Sequence, residues 1–447
     1  MSANAKPIQR NTSIVNSLTT SLETDSTAAA SSAPQRALRI CLLGYRSAPF
    51  VGGQGIYIKY LSKALVDAGH QVDVISGPPY PDLDPRVNLI KMPSLDLFSA
   101  PNHVTALRPR HLTSFSDTFE WWSMLTGGFA EPYTFSRRVA KYLKLHGHRY
   151  DVVHDNQCLG WGLLSIQKRG LPVVATVHHP ITRDRQLALD AAPNWKHRLL
   201  VKRWHSFLRM QKRVVQKLNH IVTVSEQSRH DIAEAFDIES EDISLIYNGI
   251  DTDTFRPRTD VEKQDFQLIT TASADQPLKG LRYLLDAMAE LGPEFPQLTL
   301  LVVGKLREDG ATAKQLKKLS LDDRVRFVSG ISTEELVQHY NASTIAVSPS
   351  LYEGFGLPAG EAMACGTPVI SSDGGALPEI VGDAGTIVPA ANAPALAQAI
   401  AELLKDPDRR LIMGKTCRER IEQSFSWKVA AEQFVNYYLK MLAEEKN

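Results

Sequence analysis

The sequence TIAVSPSLYEGFGLPAGEAMACGTPVISS, residues Thr344–Ser372, contains a strand, a loop, a helix and a second strand in succession. Its two ends are apolar and rich in β-branched residues, as the buried strands of a parallel sheet are. Between them, Pro358 suits the first helical position, where a missing N–H costs nothing, and Gly366 suits the helix C-terminus. The stretch therefore predicts one strand–helix–strand unit of a parallel α/β sheet.

The same alternation of apolar runs and helical patterns extends over most of the chain in two series. The first series starts at Leu38 and the second at Phe266. Two such series predict an α/β protein with two doubly wound Rossmann-like domains that face each other across a cleft. The expected divisions are a disordered tail at 1–35, an N-terminal domain at 36–247 and a C-terminal domain at 248–425. A final helix at 426–447 is expected to cross back to the first domain.

Composition and charge are those of a cytoplasmic globular protein. The 447 residues contain four widely spaced cysteines and no C-x-x-C pair, so a zinc ribbon or redox motif is not indicated. No run approaches the ~18 apolar residues that a membrane span needs. The net charge is +1, but residues 130–225 hold 17 Lys/Arg against 5 Asp/Glu. One face of the first domain is therefore expected to be basic.

A glycine cluster follows the first predicted strand. The sequence GYRSAPFVGGQG at 44–55 places Gly52 and Gly53 just before a helix. Glycine lacks a Cβ, so backbone N–H groups there can approach an anion closely. The dinucleotide fingerprint G-x-G-x-x-G with a later acid is not matched. The cluster indicates a phosphate contact, with a plain strand-to-helix turn as the alternative.

Glu353 and Glu361 lie eight positions apart in the opening stretch. Two carboxylates at short spacing are typical of a glycosidase. However, the N–H groups of Phe355, Gly356 and Leu357 converge at a helix N-terminus between them, which indicates an anion site. A sugar nucleotide, with phosphate in the middle and hydroxyls at both ends, fits that arrangement. The alternative is that Glu361 only complements the helix dipole and that Glu353 is an exposed loop acid.

The sequence resembles glycosyltransferase family 4, whose members have the GT-B fold. Residues 352–389, YEGFGLPAGEAMACGTPVISSDGGALPEIVGDAGTIVP, look like the family signature, and their two glutamates match its E-x7-E motif. The sequences SLIYNGIDTDTF and RVRFVSGISTEELVQHYNAS match neighbouring blocks, and GYRSAPFVGGQG matches the N-terminal glycine loop. The resemblance covers roughly residues 38–440.

This resemblance implies a retaining enzyme that moves a sugar from a UDP- or GDP-linked donor to an acceptor hydroxyl, without a metal or cofactor. The first domain would bind the acceptor, which would be a sugar, a lipid-linked molecule or a small molecule, and the second domain would bind the nucleotide sugar. The implied catalytic residues are Glu353 on the sugar hydroxyls, Lys279 on the diphosphate, and His178, with His179 as a weaker candidate, near the sugar. The implied donor-binding residues are Glu361 on the ribose, together with Phe355, Gly356, Leu357, Gly52 and Gly53.

The sequence departs from the family at one position. Family members often carry an arginine about five residues before the lysine, where this chain has Ala274. Arg282, Lys305 and Arg307 are the candidates to replace its charge. Two D-x-D triplets, at 82–84 and 251–253, are interpreted as turn caps, and no metal site is predicted.

Two other enzyme classes and one binding function remain open at this point. A sugar-nucleotide epimerase or a phosphorylase shares a similar fold, although a phosphorylase would need a pyridoxal lysine that no feature indicates. A protein that binds a nucleotide sugar without catalysis is the third alternative.

The stretch 194–220, NWKHRLLVKRWHSFLRMQKRVVQKLNH, has eight Lys/Arg and no acid. Leu200, Trp204, Phe207, Leu208, Val215 and Leu218 recur at roughly helical spacing. A basic amphipathic helix predicts peripheral binding to an anionic membrane, on the inner face if the protein is cytoplasmic. The alternative is a domain helix that buries its apolar face. No motif indicates nucleic-acid binding.

Overall fold

The computed structural model describes residues 36–49, 53–97, 99, 102–272 and 275–444. The predicted tail, Gly52 and Ala274 lie outside these residues. The described chain forms two parallel sheets that are covered by helices on both faces, which confirms the predicted fold class.

The first sheet has seven strands, all parallel. They are β1 (Arg39–Gly44), β2 (Gln71–Ser76), β3 (Asn88–Lys91), β4 (Val152–Asn156), β5 (Val173–Val177), β6 (His220–Thr223) and β7 (Ile243–Leu245). Their order is β3-β2-β1-β4-β5-β6-β7, with Leu42 in register with Val74 on one side and His154 on the other. The associated helices are α1 (Gly53–Asp67), α2 (Phe115–Leu125), α3 (Glu131–His146), α4 (Trp161–Gln167), α5 (Thr182–Asp190), α6 (Trp195–Trp204), α7 (Leu208–Val215) and α8 (Glu226–Phe236).

The second sheet has six parallel strands. They are β8 (Gln264–Thr271), β9 (Thr299–Val303), β10 (Val325–Val328), β11 (Ser343–Ser348), β12 (Val369–Ser372) and β13 (Thr386–Val388), in the order β10-β9-β8-β11-β12-β13. The remaining helices are α9 (Leu281–Leu291), α10 (Ala311–Leu319), α11 (Thr333–Ala342), α12 (Leu357–Ala364), α13 (Leu377–Val381), α14 (Ala393–Lys405), α15 (Pro407–Ser424) and α16 (Trp427–Glu444).

Helix α16 follows the second sheet in the chain but packs on the first. Its apolar face, including Phe434 and Tyr438, joins a buried cluster with Leu61 and Leu65 of α1. The chain passes back at a bridge between Ile250 and Ser426, so two adjacent segments connect the domains. A Cβ on Gly249 would lie 2.4 Å from the ring of Trp427, which keeps this junction closely packed.

Two edge strands lack the apolar runs on which the two predicted series of strands were based. They are β3 and β13, of four and three residues. Both are partly exposed, so neither carries the continuous apolar pattern that identified the central strands.

The basic stretch 194–220 is not the single helix that its pattern predicted. It divides into α6 and α7 around a short 3₁₀ turn. Helix α7 buries Leu208, Val214 and Val215, as the domain-helix interpretation expected, whereas α6 buries no residue. Leu200, in α6, is 52% exposed, so it does not share the buried environment of the apolar residues of α7.

Candidate active site

The loop between β11 and α12 is held in one shape by glycines that tolerate close approach. Gly356 has φ +97°, in the left-handed region, just before α12 begins. Gly375 has φ +67°, and a Cβ there would lie 2.3 Å from the carbonyl oxygen of Glu353. The same carbonyl accepts a hydrogen bond of 2.9 Å from the N–H of Ala376. The backbone of Glu353 is therefore fixed from outside its own loop.

Lys279 contacts Glu353 because the loop after β8 packs closely against the loop after β11. Lys279 ends a 3₁₀ turn after β8, and a Cβ on the next residue, Gly280, would lie 1.8 Å from the carbonyl oxygen of Pro349. This close approach brings the Lys279 Nζ to 2.7 Å from Glu353 Oε1. Ser350 Oγ donates to the same carboxylate oxygen at 2.8 Å. Glu353 thus holds two donors within the second domain.

Glu361 lies in α12, with its carboxyl group facing Tyr340 of α11. The Tyr340 hydroxyl donates to Glu361 Oε2 at 3.4 Å and is itself 3.0 Å from Thr271 Oγ1. Burial raises the pKa of the Glu361 carboxyl to about 8, and the hydrogen bond from Tyr340 opposes this shift. Near neutral pH this group is therefore largely a neutral acid.

His178 follows directly after β5, with its ring fixed by Asn156 of β4. The distance from His178 Nε2 to Asn156 Oδ1 is 2.6 Å, and Asn156 Nδ2 donates to the carbonyl of Gln54 at 3.0 Å. Because the amide nitrogen is used by Gln54, the amide oxygen faces the ring, and Nε2 carries the imidazole proton. Burial, with the neighbouring His179, lowers the pKa of His178 to about 3. Its Nδ1 is then an acceptor at physiological pH.

These groups line one cavity of about 360 Å³ between the two domains. Glu353, Glu361, Lys279 and His178 are joined there by the predicted donor-binding residues Gly53, Phe355, Gly356 and Leu357. Among the described lining residues, Lys279 is the only Lys or Arg. None of the three candidates to replace the missing arginine, Arg282, Lys305 and Arg307, belongs to this lining.

The D-x-D triplets have the local partners of turn and surface acids. Asp251 Oδ1 accepts from the N–H groups of Asp253 and Thr254 at 3.2 and 3.3 Å. Asp84 pairs with Arg86, and Asp82 with Lys59. Among the described residues no cluster of three or more His, Cys, Asp or Glu could hold a metal ion.

The cavity has an aromatic wall that was not predicted from the sequence. Tyr57 and Tyr60 of α1 pack against Trp427 of α16, with ring centroids 5.6 and 6.0 Å away. Tyr57 also meets the His178 ring edge-on at 4.7 Å. Because these residues come from opposite ends of the chain, no local pattern indicated that they would meet.

Two facing domains, each a parallel sheet with helices on both sides, with the paired glutamates and a lysine in the cleft between them, define the GT-B class of glycosyltransferases. The family model described as Glycosyltransferase Family 4 matches residues 51–254, and that of Glycosyl transferases group 1 matches residues 251–420. A relative from Mycolicibacterium hassiacum, an MMP alpha-(1->4)-mannosyltransferase, is 45% identical over 91% of this chain and 99% of its own length. The chain therefore belongs to glycosyltransferase family 4.

More distant relatives also match over most of the chain. A D-inositol 3-phosphate glycosyltransferase from Kribbella flavida is 26% identical over 90% of this chain and 95% of its own length. The solved structure of sucrose-phosphate synthase from Thermosynechococcus elongatus is 27% identical, covers 91% of this chain and 100% of its own, and superimposes with a TM-score of 0.64. The protein is accordingly a glycosyltransferase, as the sequence resemblance predicted.

Proposed function

We propose that this protein transfers a mannosyl group from a nucleotide-diphosphate sugar to an acceptor hydroxyl, with retention of anomeric configuration and without a metal or cofactor. The proposal rests above all on the 2.7 Å contact between Lys279 and Glu353 in the same cavity as Glu361. The 45% identity to a mannosyltransferase supports the choice of sugar. UDP and GDP both remain candidates for the nucleotide.

In this mechanism the leaving diphosphate carries the charge that develops when the anomeric bond breaks. Lys279 and the N–H groups at the start of α12 would stabilise that charge, which is the largest contribution expected in such a site. Glu353 would bind hydroxyls of the transferred sugar, and Glu361 would accept from the ribose. His178 would accept a hydrogen bond from a sugar hydroxyl through Nδ1. Glu353 is already engaged by Lys279 and Ser350, which favours front-face attack by the acceptor over a carboxylate nucleophile. The acceptor oxygen would bond to the anomeric carbon as the bond to the diphosphate breaks, and its proton would pass to the leaving diphosphate.

A screen of donors tests the proposal directly. The protein is mixed with UDP- and GDP-linked glucose and mannose, and thermal shift and transfer of labelled sugar are measured. We expect stabilisation and transfer with a mannosyl donor. The proposal is wrong if no nucleotide sugar stabilises the protein or is consumed.

Donor affinity is expected to rise with pH because of Glu361. Ribose hydroxyls bind more strongly to the carboxylate form of Glu361, and the pKa of this group is about 8, so donor binding releases a proton below that pH. The dissociation constant should fall about tenfold for each pH unit between 6 and 7.5 and level off above 8. Calorimetry at several pH values measures this, and Glu361→Gln should bind weakly with no such slope.

The same raised pKa means that the free energy of unfolding loses a contribution from Glu361 as the pH rises from 4.5 through about 8.

Peripheral binding to the cytoplasmic face of an anionic membrane is a second part of the proposal. Helix α6 buries no residue, and its Trp195 and Leu199 are 69% and 60% exposed beside Lys196 and Lys202. Such a helix suits an anionic lipid surface. None of the described helices is long and apolar enough to cross a bilayer.

Charge reversal on α6 tests this membrane hypothesis. Lys196→Glu with Lys202→Glu should reduce co-sedimentation with phosphatidylglycerol vesicles by tenfold or more, since each basic residue near such a surface contributes ~1 kcal/mol. Lys314→Glu with Lys317→Glu, on α10 of the second domain, is the matched control and should bind like the unmodified protein. Equal binding of all three proteins would exclude α6 as a membrane contact.

A further inference from the structure

Helix α8 of the first domain contacts the backbone of the Glu353 loop in the second. Ser225, the residue that caps α8, donates from its Oγ to the carbonyl of Gly354 at 2.7 Å. Ser228 Oγ donates to the same carbonyl at 3.1 Å. The residue after Glu353 is therefore bonded to the opposite domain by two hydroxyls.

The residue before Glu353 is also bonded to the first domain. The Tyr352 hydroxyl donates to Asp231 Oδ2 of α8 at 2.5 Å. The guanidinium of Arg183, in α5, lies 3.9 Å from the centre of the Tyr352 ring. Helix α5 begins four residues after His178, so the Tyr352 side chain lies between two elements of the acceptor-side domain.

A third contact secures the same helix from the second domain. The Glu379 carboxylate of α13 accepts from the N–H groups of Glu226 and Gln227 at 2.7 and 3.0 Å. These are two of the N–H groups that a helix N-terminus leaves without partners, and a carboxylate there also complements the helix dipole. The second domain thus makes hydrogen bonds with helix α8 both at its first turn and along its side.

We propose that Tyr352 is a positioning residue that makes the placement of Glu353 depend on closure of the two domains. Within the second domain, the Glu353 carboxylate is held by Lys279 and Ser350 and its carbonyl by the N–H of Ala376. Both of its chain neighbours are held by the first domain. Separation of the domains would break the bonds of Tyr352 and Gly354 together, so the residues on both sides of Glu353 would lose their partners in the first domain, while the Glu353 carbonyl stays bonded to Ala376. The inference rests on the proposed function, because it assigns the step at which Glu353 meets the transferred sugar.

A comparison of Tyr352→Phe with Tyr150→Phe tests this proposal. Tyr150 makes a hydrogen bond of the same type to Asp73 at 2.6 Å, but wholly within the first domain. Both changes remove one hydroxyl and keep the ring. We expect Tyr352→Phe to lower kcat for sugar transfer about tenfold and to leave the affinity for the free nucleoside diphosphate unchanged, because that affinity depends on the Glu361 end of the site. Tyr150→Phe should change neither quantity.

Domain closure is measured separately from activity. All four native cysteines are buried, so a fluorophore pair can be placed on Lys168→Cys and Lys318→Cys, one exposed site in each domain. Tyr352→Phe should shift the transfer efficiency toward a larger separation, and Tyr150→Phe should not. Asp231→Asn, which keeps an acceptor for the Tyr352 hydroxyl, should restore most of the closure and turnover that Asp231→Ala loses.

Unchanged kcat and unchanged fluorescence in Tyr352→Phe overturn the proposal. Parallel losses of kcat, nucleoside diphosphate affinity and thermal stability in Tyr352→Phe also overturn it, because the tyrosine would then be only structural. If the unmodified protein transfers no sugar, the proposed function fails, while the fluorescence comparison still decides whether Tyr352 controls closure.

Discussion

Replacement of Lys279 by alanine is expected to lower kcat by about 10²–10³-fold, the cost of removing one preorganised donor to a developing anion. Lys279 is the only Lys or Arg among the described residues that line the cavity, so no neighbouring cation there compensates. The change also leaves Glu353 without its 2.7 Å partner, and its carboxylate then repels the diphosphate. The donor KM should therefore rise as well, although by less than kcat falls.

A double-mutant cycle separates these two effects. Glu353→Gln alone should lower turnover by weakening the contact with the sugar. Combined with Lys279→Ala, it should recover part of the lost donor affinity, because the unpaired carboxylate is then absent. Lys440→Ala, on the exposed surface of α16, is the control and should leave both constants unchanged. Normal kinetics in Lys279→Ala would show that this cavity is not the transfer site.

Replacement of Glu361 by alanine is expected to raise the donor dissociation constant by about 100-fold at pH 8.5. Above its pKa of about 8 the carboxylate can accept two ribose hydroxyls, and hydrogen bonds to a charged group contribute ~1.5–3 kcal/mol each. The loss of two at the lower value is about 3 kcal/mol, or roughly 100-fold. At pH 6.5 most of the unmodified protein carries the neutral acid, so the difference between the two proteins should shrink. Calorimetric titration at both pH values measures the change.

Turnover distinguishes a binding role of Glu361 from a catalytic one. At saturating donor, Glu361→Ala should retain kcat within a few-fold, since the ribose contact is the same in the ground and transition states. Glu402→Ala, on the exposed side of α14, is the matched control and should bind donor normally. Equal affinity of Glu361→Ala and the unmodified protein at pH 8.5 would contradict the assignment of the ribose end of the cavity.

The fold was predictable because its signals are local. The strand, loop, helix and strand around Glu353 occupy consecutive residues, and the signals of Pro358 and Gly366 act within one turn. The partners of the site residues are not local. Lys279 lies 74 positions from Glu353, and Asn156 fixes His178 across two strands. The sequence resemblance supplied the lysine, but nothing in the sequence indicated Asn156 or the aromatic wall.

Exposure was the other quantity that local patterns could not predict. The apolar spacing of 194–220 is continuous, yet α7 is buried and α6 is not. The difference depends on which neighbours cover each helix, and these neighbours are distant in sequence. A replacement for the arginine missing at Ala274 could not be predicted either, because the position of its charge depends on where remote loops place their side chains.

The packing of α16 has a consequence for the order in which the protein is made. Residues 427–441 complete the buried cluster on α1, and the Tyr438 hydroxyl lies 2.6 Å from His154 Nδ1 inside the first sheet's domain. The ribosome therefore synthesises nearly all of the second domain before the first domain can complete its core. An apolar face of the first domain therefore stays uncovered during synthesis. In a chain interrupted before Trp427, that face would remain accessible to chaperones and proteases.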